Sequence, residues 1–297
     1  MATLHNNVVP SSAGAGAIVW GGDRGIFAGG NYTGNNQNTI DYITIQSPSN
    51  ATDFGDLSAV RTDITACSNV TRGVIGAGWY EPGNTTVDII EYITFASTGN
   101  TTDFGNLTES RKAAGSCSDG TRGLFAGGEN SSYSSVNTID YITIATTGNA
   151  TDFGDLTYAR YFLAGVNDAT RGVFAGWADN MDYVTIASTG NATAFGSLSN
   201  GSWQAGCSDA TRGVYAIDGW AVGGMEYITI QTTGNATAFG NLASINYGSA
   251  GCSDGVRGIF GGHYSAIEYI TIASTGNSTS FGSLTVNRNN LASAAGT

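Results

Sequence analysis

Residues 170–177 read TRGVFAGW, and the phrase returns as TRGVIGAG at 71–78, TRGLFAGG at 121–128 and TRGVYAID at 211–218. A phrase that recurs every 20–50 residues marks one supersecondary unit stacked on copies of itself. The Arg-Gly pair occurs six times, at Arg24, Arg72, Arg122, Arg171, Arg212 and Arg257. An acidic-Tyr pair keeps the same register at Tyr42, Tyr92, Tyr141, Tyr183, Tyr227 and Tyr269, and so does Phe-Gly at Phe54, Phe104, Phe153, Phe195, Phe239 and Phe281. Tyr to Phe is 12 residues in every copy and Phe to the next Arg is 18, or 17 once, whereas Arg to Tyr runs 18, 20, 19, 12, 15 and 12. Each unit has two rigid segments and one loop that is free to vary.

The rigid segments read as strands. RGVFAG is short, rich in β-branched and aromatic residues and closed by Gly, and DYITIAS alternates before ending at the turn signal TGN. ATDFGDL reads as an outer strand carrying the repeat Phe, and ARYFLAGVND as another strand ended by Asn or Asp. No window of 10 residues holds a helical period, and Gly at this frequency (44 residues) opposes helices by about 1 kcal/mol at each interior position. The expected fold is all-β: six four-stranded antiparallel units closing into a six-bladed β-propeller, because closure leaves fewer exposed edges than a line of units.

A ring of six has one place for a terminal strand, and AGAIVW at 15–20 and NRNNLASAAGT at 287–297 both fit it. Ala13 stands where other copies mostly have Arg, which favours the C-terminal segment as the closing strand. The N-terminal assignment stays open as the alternative. The expected division is an N-terminal arm over 1–12 and the propeller over 13–297.

Charged residues make up 11% of the 297, against about 25% in ordinary domains, and the net charge is −12. That balance argues against nucleic acid, which needs clustered Lys and Arg. Of the eleven basic residues, six belong to the Arg-Gly pair and four (Arg61, Arg111, Arg160, Arg288) share a place seven residues after the Phe, leaving Lys112 out of register. Cations that recur with the repeat read as structural, pairing with the acid before each Tyr or with the Asp three residues before Arg. Cys67, Cys117, Cys207 and Cys252 hold equivalent places, with Val166 in another copy, so they read as small buried residues rather than disulfides or metal ligands. MATLHNNVVPSS has neither the basic start nor the apolar run of a signal peptide, and no window approaches the 18 apolar residues of a membrane span.

The order of Arg, apolar strand, RGVFAGG, variable loop, NTIDYITIASTGNATDF and GDLTYAR resembles the kelch repeat over nearly the whole chain. Phe stands in place of the usual Trp, and the double Gly is intact at Gly29-Gly30, Gly127-Gly128 and Gly261-Gly262. The DYITI…STGNATDFG wording is more similar still to repeat proteins of tailed, notably marine, phages. That resemblance implies a virion component assembled in the host cytoplasm, with other virion proteins or further copies of itself as partners.

An enzyme needs residues that break the repeat. The chain has two His, His5 and His263, and therefore no His pair for acid-base work; the copper site of galactose oxidase, a kelch relative, cannot be assembled, and no cofactor is expected. SDGTRG at 118–123 faintly echoes a sialidase Asp box without its Trp, and reads instead as a hairpin in which Asp bonds backbone amides. Asp41, Glu91, Asp140, Asp182, Glu226 and Glu268 are repeat positions before the Tyr. The expectation is a non-enzymatic protein, with a polysaccharide-binding lectin or carbohydrate-active enzyme as the alternative.

Function is expected in the variable loops 31–39, 79–90, 129–138, 177–181, 218–224 and 263–267, gathered on one face. They carry Tyr32, Trp79, Tyr80, Tyr133, Trp177, Trp220, His263 and Tyr264 among Asn, Ser and Asp. Rings beside amides and carboxylates suit a host-surface glycan, by stacking on a pyranose face and bonding its hydroxyls, and suit a protein partner equally.

Overall fold

The computed structural model describes residues 22–200, 205–217, 223–244 and 247–297. Every regular element among them is a strand. Six four-stranded antiparallel sheets and three small ribbons make nine sheets in all. In the second sheet the order is Thr65–Ser68, Arg72–Gly76, Ile89–Thr94, Thr102–Asn106, and the third to sixth repeat it with first strands Gly115–Ser118, Ala164–Asn167, Ala205–Ser208 and Ala250–Ser253. The first sheet is formed from both chain ends. Its own strands Arg24–Ala28, Thr39–Thr44 and Thr52–Asp56 take Ala292–Gly296 as their first strand, with Arg24 opposite Gly296 and Ala28 opposite Ala292. The C-terminal candidate thus fills the first-strand place, while the other candidate, 15–20, and the arm 1–12 lie outside the described residues.

The second strands are buried on both faces, and exposure grows toward the fourth. The middle strands RGIFA and RGLFA are covered throughout after their Arg, and Phe27, Phe125, Phe174, Tyr215 and Phe260 are fully buried between sheets. Six apolar clusters result, each shared by two consecutive sheets, and one joins Phe27, Ile43 and Ile45 of the first sheet to Ile259, Ile267 and Phe281 of the sixth. The cysteines are free and buried, and burial pushes the Cys67 and Cys252 thiols up to about 12. Cys67, Cys117 and Cys207 lie against the Arg-Gly glycines of the following sheet, Gly123, Gly172 and Gly258, so a Cβ there would strike the sulfur. Where the first strand of the first sheet brings the smaller Ala294, Phe95 replaces the Ile that follows the other third strands and packs in the same cluster.

The recurring polar residues bind one sheet to the next. Arg72 Nη1 donates to Ile144 O (3.0 Å), Arg122 to Ile186 O (3.2 Å), Arg171 to Ile230 O (3.2 Å), Arg212 to Ile272 O (3.1 Å), Arg257 to Ile45 O (2.8 Å), and Arg24 to Phe95 O. Each guanidinium also covers the Tyr ring of its own sheet, as Arg72 does Tyr92 at 4.1 Å. On the outer edge the Asn of each TGN or equivalent turn accepts a backbone N–H from the neighbouring fourth strand, such as Asn100 from Asp56 (3.0 Å) and Asn50 from Ser283 (3.2 Å). That docking explains Phe-Gly: a Cβ on Gly55 (φ +149) would run into the carbonyl of Gly99.

The second set of arginines lies in the links between sheets, fully buried against the acid before the Tyr of four of the six sheets. Arg111 Nη2 meets Asp140 at 2.9 Å, Arg160 meets Asp182 at 2.8 Å, Arg288 meets Asp41 at 2.7 Å, and Arg61 pairs with Glu91. Burial lowers the Arg61 guanidinium to about 10, which leaves it charged at neutral pH. The same acids accept link backbone amides, as Asp140 does from Thr108 N (3.1 Å). The Asp three residues before Arg has the other role expected of it: Asp119 Oδ1 accepts from the N–H groups of Thr121 (2.8 Å) and Arg122 (2.6 Å), closing a hairpin.

The third double Gly differs from the other two. Gly29-Gly30 and Gly127-Gly128 follow their strand with positive φ, but Gly261 is the last residue of its strand and only Gly262 (φ +120) matches. Gly261 answers a different demand, since a Cβ there would meet the Phe27 ring.

Candidate functional site

Strand direction decides what gathers on each face. Second strands run toward one end and fourth strands return to it, so the variable loops and the links from fourth to first strand emerge together. Two ribbons join them. Arg61–Thr62 pairs with Trp79–Tyr80, and Arg111–Lys112 pairs with Glu129–Asn130. The links then turn down into first strands that line a central channel with a cavity of about 220 Å³. Its wall is small and hydroxylated. Ser118 Oγ donates to Ser68 O (2.6 Å), Ser68 Oγ to Ala295 O (2.9 Å) and Ser253 Oγ to Ser208 O (2.6 Å), so side chains lace neighbouring first strands together.

Around the channel mouth the expected rings form groups. Trp79 lies 6.0 Å from Tyr133, with Lys112 Nζ over Trp79 at 4.6 Å and bonded to Glu129 at 3.2 Å. Trp177 stacks on Tyr161 at 4.9 Å and 23°, with Phe162 at its side. Tyr32 meets Tyr264 edge-on at 5.7 Å, and His263 stands between Tyr264 and Tyr247, 4.6 Å from each. Tyr80 is half-buried within its ribbon, and Trp220 lies outside the described residues. Rings at Tyr133, Trp177, Tyr247 and Tyr264 are exposed.

Several of these rings are held at a backbone conformation that bulky residues avoid. Tyr133 (φ +57), Phe162 (φ +52), Trp177 (φ +30), His263 (φ +52) and Tyr264 (φ +68) all have positive φ. For L-residues the left-handed region costs roughly 1–2 kcal/mol each, and such outliers concentrate where a surface serves binding.

The links contribute residues that the loop reading missed: Asp63, Lys112, Tyr161, Phe162 and Tyr247. Asp63 lies at the mouth beside the cavity, with φ +53, its N–H bonded to Asn290 O (2.9 Å) and its carbonyl to Ala113 N (2.8 Å). Its Oδ1 is inaccessible and has no hydrogen-bond partner among the described residues. Burial pushes this carboxyl up to about 6, with Lys112 and the Asn290 side chain opposing and Glu129 adding to the rise. Among the described residues no group of three or more His, Cys, Asp or Glu could hold a metal ion, and no helix is long and apolar enough to cross a membrane. Comparison with known proteins gives no family model that matches the chain and no curated protein of similar sequence.

Proposed function

We propose that the six four-stranded sheets are the blades of one closed, kelch-like β-propeller, and that this propeller is a non-enzymatic virion component whose loop face binds a host-surface glycan. The observation that carries the binding is the rim of partly strained rings around the channel mouth, of which Tyr133, Trp177, Tyr247 and Tyr264 are exposed. Aromatic faces stack on sugar rings while neighbouring amides and hydroxyls take the sugar's polar edge. Closure is supported by the junction between sixth and first sheets, where Arg257 bonds Ile45 O, Asn50 accepts from Ser283 N, and Phe27 packs beside Phe281. The virion assignment rests on the resemblance of the DYITI…STGNATDFG wording to tailed-phage repeat proteins. Attachment to other virion proteins, or to further copies of the chain, would use a terminal segment or the opposite face.

The test is binding to a glycan array and to candidate host cells, with a variant replacing Trp79, Trp177 and Trp220 by Ala alongside. Specific binding lost in a variant that stays folded supports the reading; binding unchanged by the three substitutions removes it. The carbohydrate-active alternative is favoured by one observation, the raised carboxyl of Asp63 near Glu129. Release of new reducing ends from a bound glycan would establish it.

A further inference from the structure

We infer that Trp177 is the platform on which the rim seats one neutral pyranose, the sugar lying against the indole face turned away from Tyr161. This rests on the glycan-binding reading and names the ring and the sugar class it takes. Trp177 is 47% exposed although it stacks on Tyr161 at 4.9 Å and 23°, so its open surface is the other face and the ring edge. Its variable loop is one of the two shortest, 12 residues from Arg171 to Tyr183, which leaves little chain to fold over the indole. The stack fixes the tilt of the platform in advance, and the backbone holds Trp177 at φ +30 and Ala178 at φ +151, where Gly would relieve the strain. The other groups of rings offer no such face. Lys112 Nζ stands over Trp79 at 4.6 Å and over Tyr133 at 5.5 Å, so a cation already takes that position, and Trp79 is half-buried. Tyr32, Tyr264, His263 and Tyr247 meet at interplanar angles of 71°, 50° and 58°, presenting edges rather than a flat platform.

The surroundings select the sugar. Asn180 Nδ2 donates to Tyr158 Oη (2.6 Å), and both residues are exposed. Asn180 follows Trp177 by three residues and Tyr158 precedes Tyr161 by three, so the Cα atoms of each are within about 11 Å of the stack even at full extension. Tyr158 accepts that bond and keeps its own hydroxyl hydrogen, and Asn180 keeps a second amide hydrogen, so both have an uncharged donor for sugar oxygens. The cations of the adjoining links are each held by an acid: Lys112 by Glu129, Arg111 by Asp140 and Arg160 by Asp182. Burial raises the Tyr161 hydroxyl, Glu129 adds to the rise and Lys112 opposes it, which puts that ion pair within electrostatic reach of the stack. Asp179, two residues beyond Trp177, is exposed and adds a negative charge on a chain of net charge −12. A sialic or uronic acid would meet like charge here, whereas a neutral pyranose brings a face of C–H groups to the indole and hydroxyls to Tyr158 and Asn180.

The experiment titrates the protein, by calorimetry and tryptophan fluorescence, with neutral oligosaccharides of glucose, galactose and N-acetylglucosamine and with matched sialylated or uronate-containing ones. Wild type, Trp177→Ala, Trp177→Phe and Trp79→Ala are compared, and circular dichroism verifies that each is folded. Trp177→Gly, which a φ of +30 favours, repeats the truncation without backbone strain. The inference expects neutral glycans to be preferred and both truncations of Trp177 to weaken them roughly 30-fold, the effect of removing a central interface Trp. Trp177→Phe, which keeps a smaller ring, should lose less, and Trp79→Ala less than about 5-fold, as for a contact outside the hot spot. Binding by the Trp177 truncations within about 5-fold of wild type overturns the inference and leaves glycan binding standing. A larger loss in Trp79→Ala than in Trp177→Ala overturns it too, as does a preference for acidic glycans. No glycan binding by folded wild-type protein removes the underlying reading along with it.

Discussion

Replacing Arg288 by Met tests how the sheets are held. Arg288 is fully buried, and its guanidinium donates to Asp41 Oδ2 (2.7 Å), Thr39 O (2.7 Å) and Phe27 O (3.1 Å). Burial lowers this guanidinium from its ordinary value, while Asp41 and Asp53 act to raise it. Met fills much of the arginine stem but leaves Asp41 charged, buried and deprived of its cation. Breaking a buried pair on one side costs about 3–5 kcal/mol. At about 2–4 °C per kcal/mol for a chain of this order of size, Tm should fall by roughly 6–20 °C. Thermal unfolding followed by circular dichroism reads the shift, and the double variant with Asp41→Leu should recover part of it, because the orphaned charge is gone. Arg111→Met is the internal comparison, since Arg111 makes the equivalent contact to Asp140 inside a continuous stretch of chain. Similar losses would mean that the C-terminal link is seated as firmly as an internal one. A fall of less than about 3 °C in Arg288→Met, with a normal fold, would refute the argument that these pairs are interdependent.

Four further outcomes are expected. The folded state binds a proton on Asp63 more tightly than the unfolded chain does, so wild-type stability should rise as pH falls from about 6 toward 4, relative to Asp63→Asn; the difference between their denaturation curves should amount to about 3 kcal/mol above pH 7 in favour of the variant. Gly55→Ala should lower Tm markedly, because its methyl meets the Gly99 carbonyl, while Gly34→Ala, open around its Cβ, should cost no more than about 2 kcal/mol of backbone strain. Tyr133→Gly should be neutral or raise stability by up to about 1 kcal/mol, since the ring is exposed and φ is +57. Lys112→Met should lower stability by about 1–3 kcal/mol, because the pair is mostly buried and Glu129 is left without its cation, and should also alter binding at the rim.

The strands were legible because each carries a repeated phrase, and the two arginine sets were legible as structural because ten of eleven cations kept register. Their partners divided as the chemistry allows: the acid before Tyr takes the buried arginine, and the Asp before Arg-Gly caps a turn. The rim was only half legible. Variable length drew attention to the loops, whereas the links keep constant length, so Tyr161, Phe162, Tyr247 and Asp63 hid inside segments that looked purely structural. Two signals were nonetheless present. Lys112 was the one cation out of register, and Asp63 is an acid at a place where the other copies have Ala, Phe, Trp, Gly or Asn. Antiparallel units already send links and loops to the same face; what sequence could not supply was which link side chains turn outward to meet the loop rings there.

The sheet that begins at Arg24 is completed by residues Ala292–Gly296, and this sets a schedule for the ribosome. The earliest of the six sheets waits, with the inner edge of Arg24–Ala28 unpaired, until residues 292–296 have been made, and such an edge is a template for a stray strand. Later sheets carry their own first strands and can pair as they appear. A ribosome that stalls before them therefore releases a chain with an open edge, a substrate for chaperone or protease rather than for assembly.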